Sequence, residues 1–222
     1  MSYEPRKAVL SDIPSIIEAY FDAFGEHPIN RRIFNPPSSE SVQRFWTESL
    51  TRDLQNPNVQ FYVITSPEEE RVLAFAKWWQ PPTTSTITST ATDTDTDTDT
   101  STSLAPALPS WPDGADVSFA EEVFGLMDRK RKEVMGDRPH WYLEMLGVRK
   151  EFQRRGAGKA LLRWGLKQAD EAGIEAYLTA SPAGTPLYQM HGFDIVETVL
   201  IDDGKRVENF MLRPPQGVES RP

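Results

Sequence analysis

The residues best suited to chemistry are gathered in one stretch, Trp141 to Leu162. Within it, Gln153-Arg154-Arg155-Gly156-Ala157-Gly158-Lys159 is a short basic loop with two glycines. An apolar run from His140 to Val148 precedes it, and a helical pattern from Gly156 to Ala172 follows. A strand that passes through such a loop into a helix makes an anion site. Glycine lets the backbone approach closely, the first N–H groups of the helix have no internal acceptor, and the helix dipole favours negative charge there. Arg149, Lys150, Arg154, Arg155 and Lys159 concentrate positive charge in a chain whose net charge is −9.

Several phosphate motifs compete for this loop. A P-loop needs Gly-x-x-x-x-Gly-Lys-Ser/Thr, and here Gln153 stands at the first glycine and Ala160 at the hydroxyl. With no hydroxyl there is no magnesium ligand, so that reading fails. A dinucleotide loop needs a third glycine where Leu161 stands, so that reading is weak.

The pattern Gln/Arg-x-x-Gly-x-Gly/Ala, met by Gln153, Gly156 and Gly158, resembles the cofactor loop of the GNAT superfamily of acetyl-CoA-dependent N-acetyltransferases. Leu146-Gly147-Val148 ends the strand before the loop, and Thr185-Pro186-Leu187-Tyr188-Gln189-Met190-His191-Gly192-Phe193 resembles the family's second segment. The resemblance runs from His140 to Thr198 and is only topological for residues 1–80. It implies that backbone groups of Leu146 and Val148 meet the pantetheine arm. It also implies that the backbone from Arg154 through Ala157 to Gly158, with Lys159, holds the pyrophosphate. Strands ending near Val148 and Ala180 should splay around the thioester, with Tyr188 beside the sulfur. Related chains often carry Asn on the cofactor arm near the position of Ser181, so that contact is in doubt here. The segment Phe24 to Phe34, with Arg31 and Arg32 available for a carboxylate, would shape the acceptor site.

Acyl transfer to an amine makes definite demands. An aliphatic ammonium has a pKa of about 10 and must lose a proton before it attacks. Glu144, in the strand before the loop, is the first candidate base, directly or through water; the alternative is an ion-pair partner. N–H groups near Leu146 and Gly147 could stabilise an oxyanion. Tyr188 is the candidate acid for the departing thiolate, against a reading as a core tyrosine. His191 reads as a helix cap. Three scattered His and no Cys make no metal cluster.

These groups need elements to hold them. Arg6 to Leu10 reads as a strand, and Ser11 then caps a helix carrying Ile13, Ile16, Ile17, Tyr20 and Phe24 at helical spacing. His27 to Pro37, with three prolines, reads as a break, followed by a helix bearing Val42, Phe45, Trp46, Leu50 and Leu54. Val59–Thr65 and Arg71–Trp79 form a hairpin of strands apolar enough to be buried on both faces. A capping box, Ser118 with Glu121, opens the next helix. Later strands are expected at 174–180, 193–200 and 209–212, with a short helix from Thr185 to His191. The alternation favours layered α/β. The resemblance sharpens this to a GNAT-like three-layer fold with a mixed, mostly antiparallel sheet of about six or seven strands flanked by helices.

Pro81 to Asp116 interrupts the pattern with Thr-Ser and Thr-Asp repeats. Its apolar content cannot offset the entropy of ordering, so a disordered insertion within one domain spanning 1–222 is expected. Asp93-x-Asp95-x-Asp97 starts like a calcium loop but lacks the glycine and the closing glutamate. Outside this tract the charges nearly balance, so no nucleic-acid footprint is expected. The run Arg129-Lys130-Arg131-Lys132 reads as a solvated helix face, with a nuclear signal as the alternative. No apolar run is long enough to span a membrane. A cytoplasmic or nuclear monomer or homodimer that acetylates a small-molecule primary amine is the expectation. A non-catalytic CoA-binding or sensor module, or acetylation of a protein amine, is the alternative.

Overall fold

A computed structural model describes residues 3–66, 71–82, 110–202 and 204–217. Seven strands form one sheet in the order β1-β2-β3-β4-β5-β7-β6. They are β1 (Arg6–Lys7), β2 (Val59–Thr65), β3 (Val72–Trp79), β4 (His140–Val148), β5 (Glu175–Ala180), β6 (Asp194–Ile201) and β7 (Arg206–Arg213). All neighbours pair antiparallel except β4 with β5. Helices cover both faces, as three layers require.

One face carries α1 (Ile13–Phe24), α2 (Pro28–Ile33), α3 (Glu40–Gln55) and α4 (Val117–Met135). Its core joins Ile16, Ile17 and Tyr20 of α1 to Phe45, Trp46 and Leu50 of α3 and to Phe61 and Phe75 of the sheet. The other face carries α5 (Ala157–Ala172) and α6 (Thr185–Gln189). Leu161, Leu162 and Leu166 of α5 pack there on Trp78, Trp141, Leu143 and Leu178. The whole of β3 is buried, which its near-continuous apolar run, broken at Lys77, anticipates. Gly165 is required where α5 crosses the sheet: a Cβ there would lie 2.1 Å from Trp78.

The structure corrects several expected boundaries. The first strand ends at Lys7, and a 3-10 turn, Leu10–Asp12, leads into α1. Pro28 opens a helix rather than breaking one, because a proline at the first helical position loses no hydrogen bond. Asp116, not Ser118, caps α4: its carboxylate accepts from the Phe119 N–H at 3.2 Å. The short helix after β5 ends at Gln189, and β7 starts three residues early, at Arg206.

The expected insertion also ends sooner. Residues 83–109 lie outside the described set, but 110–116 pack on the domain. Trp111 stacks on Phe45 and Phe124 with centroids 5.6 and 5.7 Å away. The Asp113 N–H donates to Ser41 Oγ at 2.7 Å. The basic run in α4 is not simply solvated. Arg131 is 5% exposed, pairs with Asp128 at 2.8 Å and lies over the Tyr142 ring.

Candidate functional site

The site begins where β4 and β5 part. Their parallel ladder runs from His140↔Glu175 to Leu143↔Leu178 and stops. Both strands continue, β4 to Val148 and β5 to Ala180. Beyond Leu143, β4 stays bonded to β3 and β5 stays bonded to β7, so a wedge opens in the sheet. A bulge between Lys77 and Trp78 turns β4 at this point. The backbone of residues 144–148 on the β5 side therefore has no strand partner.

The basic loop stands at the end of β4. Arg154 and Gly156 both have positive φ, 59° and 97°, which turns their N–H groups into a concave cradle. The N–H groups from Arg154 to Lys159 find no backbone acceptor among the described residues. A Cβ on Gly158 would lie 3.3 Å from Val148, so the start of α5 lies directly against β4. Arg154, Arg155 and Lys159 are exposed and make no ion pair among the described residues. Arg149 and Lys150, expected to share the anion, are engaged elsewhere. Arg149 is buried, bonded to the Val72 carbonyl and Glu18, and Lys150 pairs with Glu26 at 2.9 Å. The Gln153 side chain donates to the Val148 carbonyl at 3.1 Å and so pins loop to strand. Free donors, a close-packed glycine and three exposed cations, of which Arg155 also lies over the Phe152 ring, fit a pyrophosphate.

Tyr188 stands across the wedge on α6. It packs in the same cluster as Leu146 and Val148, edge-on to Phe193 at 6.0 Å. Its hydroxyl has no hydrogen-bond partner among the described residues. Burial pushes its pKa up to about 12, so at neutral pH it carries its proton and acts as a donor. His191 is the helix cap, with Nδ1 2.8 Å from the Leu187 carbonyl. Ser181 keeps the turn after β5: its carbonyl accepts from Thr185 N and Oγ1, both at 3.0 Å. An asparagine is nearby all the same. Asn209 donates to Thr185 Oγ1 at 2.9 Å and accepts from Thr198 at 2.8 Å.

On the α1–α4 side, Gly147 faces two rings. A Cβ there would lie 2.4 Å from Phe75 and 3.0 Å from Phe24, so only glycine fits. Glu144 lies three residues earlier on β4, at the register shift, and is not free. Its carboxylate pairs with Lys77 at 2.9 Å and accepts from the Trp79 indole N–H. Lys77, with a side chain 7% exposed, also holds Asp53 at 2.7 Å. Burial pulls the Lys77 ammonium down, but Glu144 and Asp53 outweigh it and raise its pKa. Burial pushes Asp53 up to about 6 against the pull of Lys77, with Glu144 adding to the rise. One ammonium between two carboxylates leaves an excess negative charge around Lys77. Nothing in the sequence joined Lys77 and Asp53 to Glu144; a lysine within an apolar strand was the available signal. Arg32, expected to be open to a carboxylate, is held by Asp116 and by Asp202 at 3.0 Å and lies over Phe119. Arg31, its neighbour on α2, is exposed, and its charge acts on Glu26.

Residues 109–193 match the family model described as Acetyltransferase (GNAT) family. A curated protein named acetyltransferase, from Stachybotrys chartarum, is 30% identical over 66 residues, which is 30% of this chain and 29% of that protein. The chain thus spans under a third of the length of this curated relative. Among solved structures, "histone acetyltransferase HPA2 and related acetyltransferase" from Corynebacterium glutamicum superposes with a TM-score of 0.62 at 21% identity, covering 97% of each chain. PaiA N-acetyltransferase from Thermoplasma acidophilum, solved with coenzyme A, gives 0.52 at 15% identity over 96% of this chain and 99% of that one. At these identities the likeness is one of fold.

Proposed function

We infer, for a chain whose residues 109–193 match the GNAT acetyltransferase family model, that it transfers the acetyl group of acetyl-CoA to a small-molecule primary amine by direct attack. The observation that carries this is the wedge between β4 and β5, with the donor-lined loop of Arg154–Lys159 at one end and the unpartnered Tyr188 hydroxyl across it. Arg154, Arg155, Lys159 and the loop N–H groups would hold the pyrophosphate. The open backbone of 144–148 would take the pantetheine arm, and the thioester supplies an acyl group with a good leaving thiolate. The Leu146 and Gly147 region offers backbone N–H groups for the developing oxyanion. Tyr188 donates to the departing sulfur.

On the acceptor side, Phe24 and Phe75 close over Gly147. That wall suits a small, partly apolar amine better than a protein tail. With its carboxylate held by Lys77 and Trp79, Glu144 serves best as a fixed negative charge facing an ammonium. A base role through water is checked by Glu144→Gln.

Thiol release from acetyl-CoA with a panel of primary amines tests the reading, and absence of release with every amine would reject it. The loop has its own test. Gly158→Trp should weaken acetyl-CoA binding at least tenfold, because the ring would fill the close approach to Val148 that the phosphate backbone contact needs. Calorimetry that finds wild-type affinity in this variant removes the loop from the site.

A further inference from the structure

One carboxylate on the acceptor side of the sheet is unaccounted for. Glu208 lies on β7 opposite Val199 of β6. Val199 packs under α4, and so does Phe210, two residues along β7. Strand alternation therefore points Glu208 to the same side. The last rung between β5 and β7 is Ala180↔Asn209. Glu208 is thus the first β7 residue beyond the end of β5, at the open end of the wedge.

It is 7% exposed, yet no hydrogen bond or ion pair reaches its carboxylate among the described residues. The charges around it are engaged. Arg206, on its own strand, holds Asp202 at 3.3 Å, Glu197 of β6 holds Lys130 of α4 at 2.8 Å, and Arg32 of α2 holds Asp202 at 3.0 Å. Burial, helped by the charge of Arg206, holds His27 before α2 below its ordinary pKa and so keeps it neutral. Burial pushes the Glu208 carboxyl up to about 7, with Arg206 opposing. A buried carboxyl with no partner costs stability, and such groups in clefts are where proton acceptors are found.

We propose that Glu208 receives the ammonium of the acceptor and takes its first proton, and that the site accepts a primary amine bearing no carboxylate. This rests on the acetyl-transfer reading above. The ammonium gives one proton to the Glu208 carboxylate. The freed lone pair forms the C–N bond to the acyl carbon as the C–S bond breaks. The second nitrogen proton ends on the thiol by way of the Tyr188 hydroxyl, and Glu208 returns its proton to water. A neighbouring carboxylate on the substrate would face Glu208 and Glu144, with Arg32 already held by Asp116 and Asp202.

Tyramine and tyrosine form the matched probe pair, since they differ only in the carboxylate. Wild type should acetylate tyramine in clear preference to tyrosine. Glu208→Gln should lower kcat/KM for tyramine by roughly 10²-fold or more, with acetyl-CoA affinity unchanged by calorimetry and a melting temperature equal or higher. Wild-type turnover in Glu208→Gln overturns the proposal, as does a melting temperature many degrees lower, which would make the carboxyl structural. Equal use of tyrosine, or no turnover of tyramine by wild type that binds acetyl-CoA, also overturns it. Loss of turnover in Glu144→Gln alone assigns the base to Glu144 instead. Failure of wild type to bind acetyl-CoA at all would remove the acetyl-transfer reading and this proposal with it.

Discussion

Replacing Tyr188 by Phe should lower turnover by roughly 10²- to 10⁴-fold, the usual worth of a positioned acid, while acetyl-CoA still binds. The change removes one hydroxyl and leaves the ring against Phe193 and the cluster around Leu146 and Val148. Because that hydroxyl has no partner among the described residues, its loss should leave stability within about 1 kcal/mol. The deficit should sit in kcat and not in the KM for acetyl-CoA, since the proton moves only in the transition state. Steady-state kinetics with an amine that wild type acetylates, alongside a thermal melt of the same sample, makes the check. Unchanged turnover would return Tyr188 to the core and leave water or His191 as the proton source.

The largest stability effect is expected at Lys77. Lys77→Met strands Asp53 and Glu144 against a buried wall, and breaking one side of such a network costs about 3–5 kcal/mol. The loss should depend on pH. Asp53 already titrates above its unfolded value because burial raises it, and Lys77 is the main group pulling it down, with Arg52 a weaker one. Without Lys77 the folded-state pKa rises further. A carboxyl raised in this way contributes stability below its unfolded pKa and loses it as pH rises through the folded value. The variant should therefore be nearest to wild type at pH 5 and furthest from it at pH 8. Adding Asp53→Leu should recover part of the loss. Denaturant melts at both pH values check this, and a pH-independent difference would mean that Asp53 is not the group responding.

The geometry of the candidate cofactor loop was legible because its signals are local. The two glycines of Gly156-Ala157-Gly158, the apolar run into Val148 and the Thr185–Gly192 segment each sit within about ten residues, where spacing alone implies geometry. The carboxylates proposed for the acceptor side were not, because their surroundings are made by register. Lys77 meets Glu144 only because β3 and β4 pair with a bulge beside Lys77, and Glu208 matters only because β5 stops at Ala180. No spacing in the chain carries either fact. Proline misled at α2, where position rather than identity decides the outcome. At α4, Asp116 and Ser118 are both good caps, and the choice went to the residue that could also bind Arg32. The basic run of α4 hid its buried member because Asp128 lies a single turn earlier and His140 comes from the next strand.

The segment 83–109 falls between β3 and α4, and so divides the chain within the sheet. Before it come β1–β3 and α1–α3, with Phe24, Phe75, Asp53 and Lys77; after it come the loop, Tyr188 and Glu208. The two parts meet along the β3–β4 ladder, through Lys77 and Glu144, and where Trp111 wedges onto Phe45. Cut within 83–109, the chain would become a pair of complementing fragments, with Lys77 and Asp53 on one and Glu144 and the Arg154–Lys159 loop on the other. Mixing the two fragments and following the return of a cooperative melt would report their reassembly.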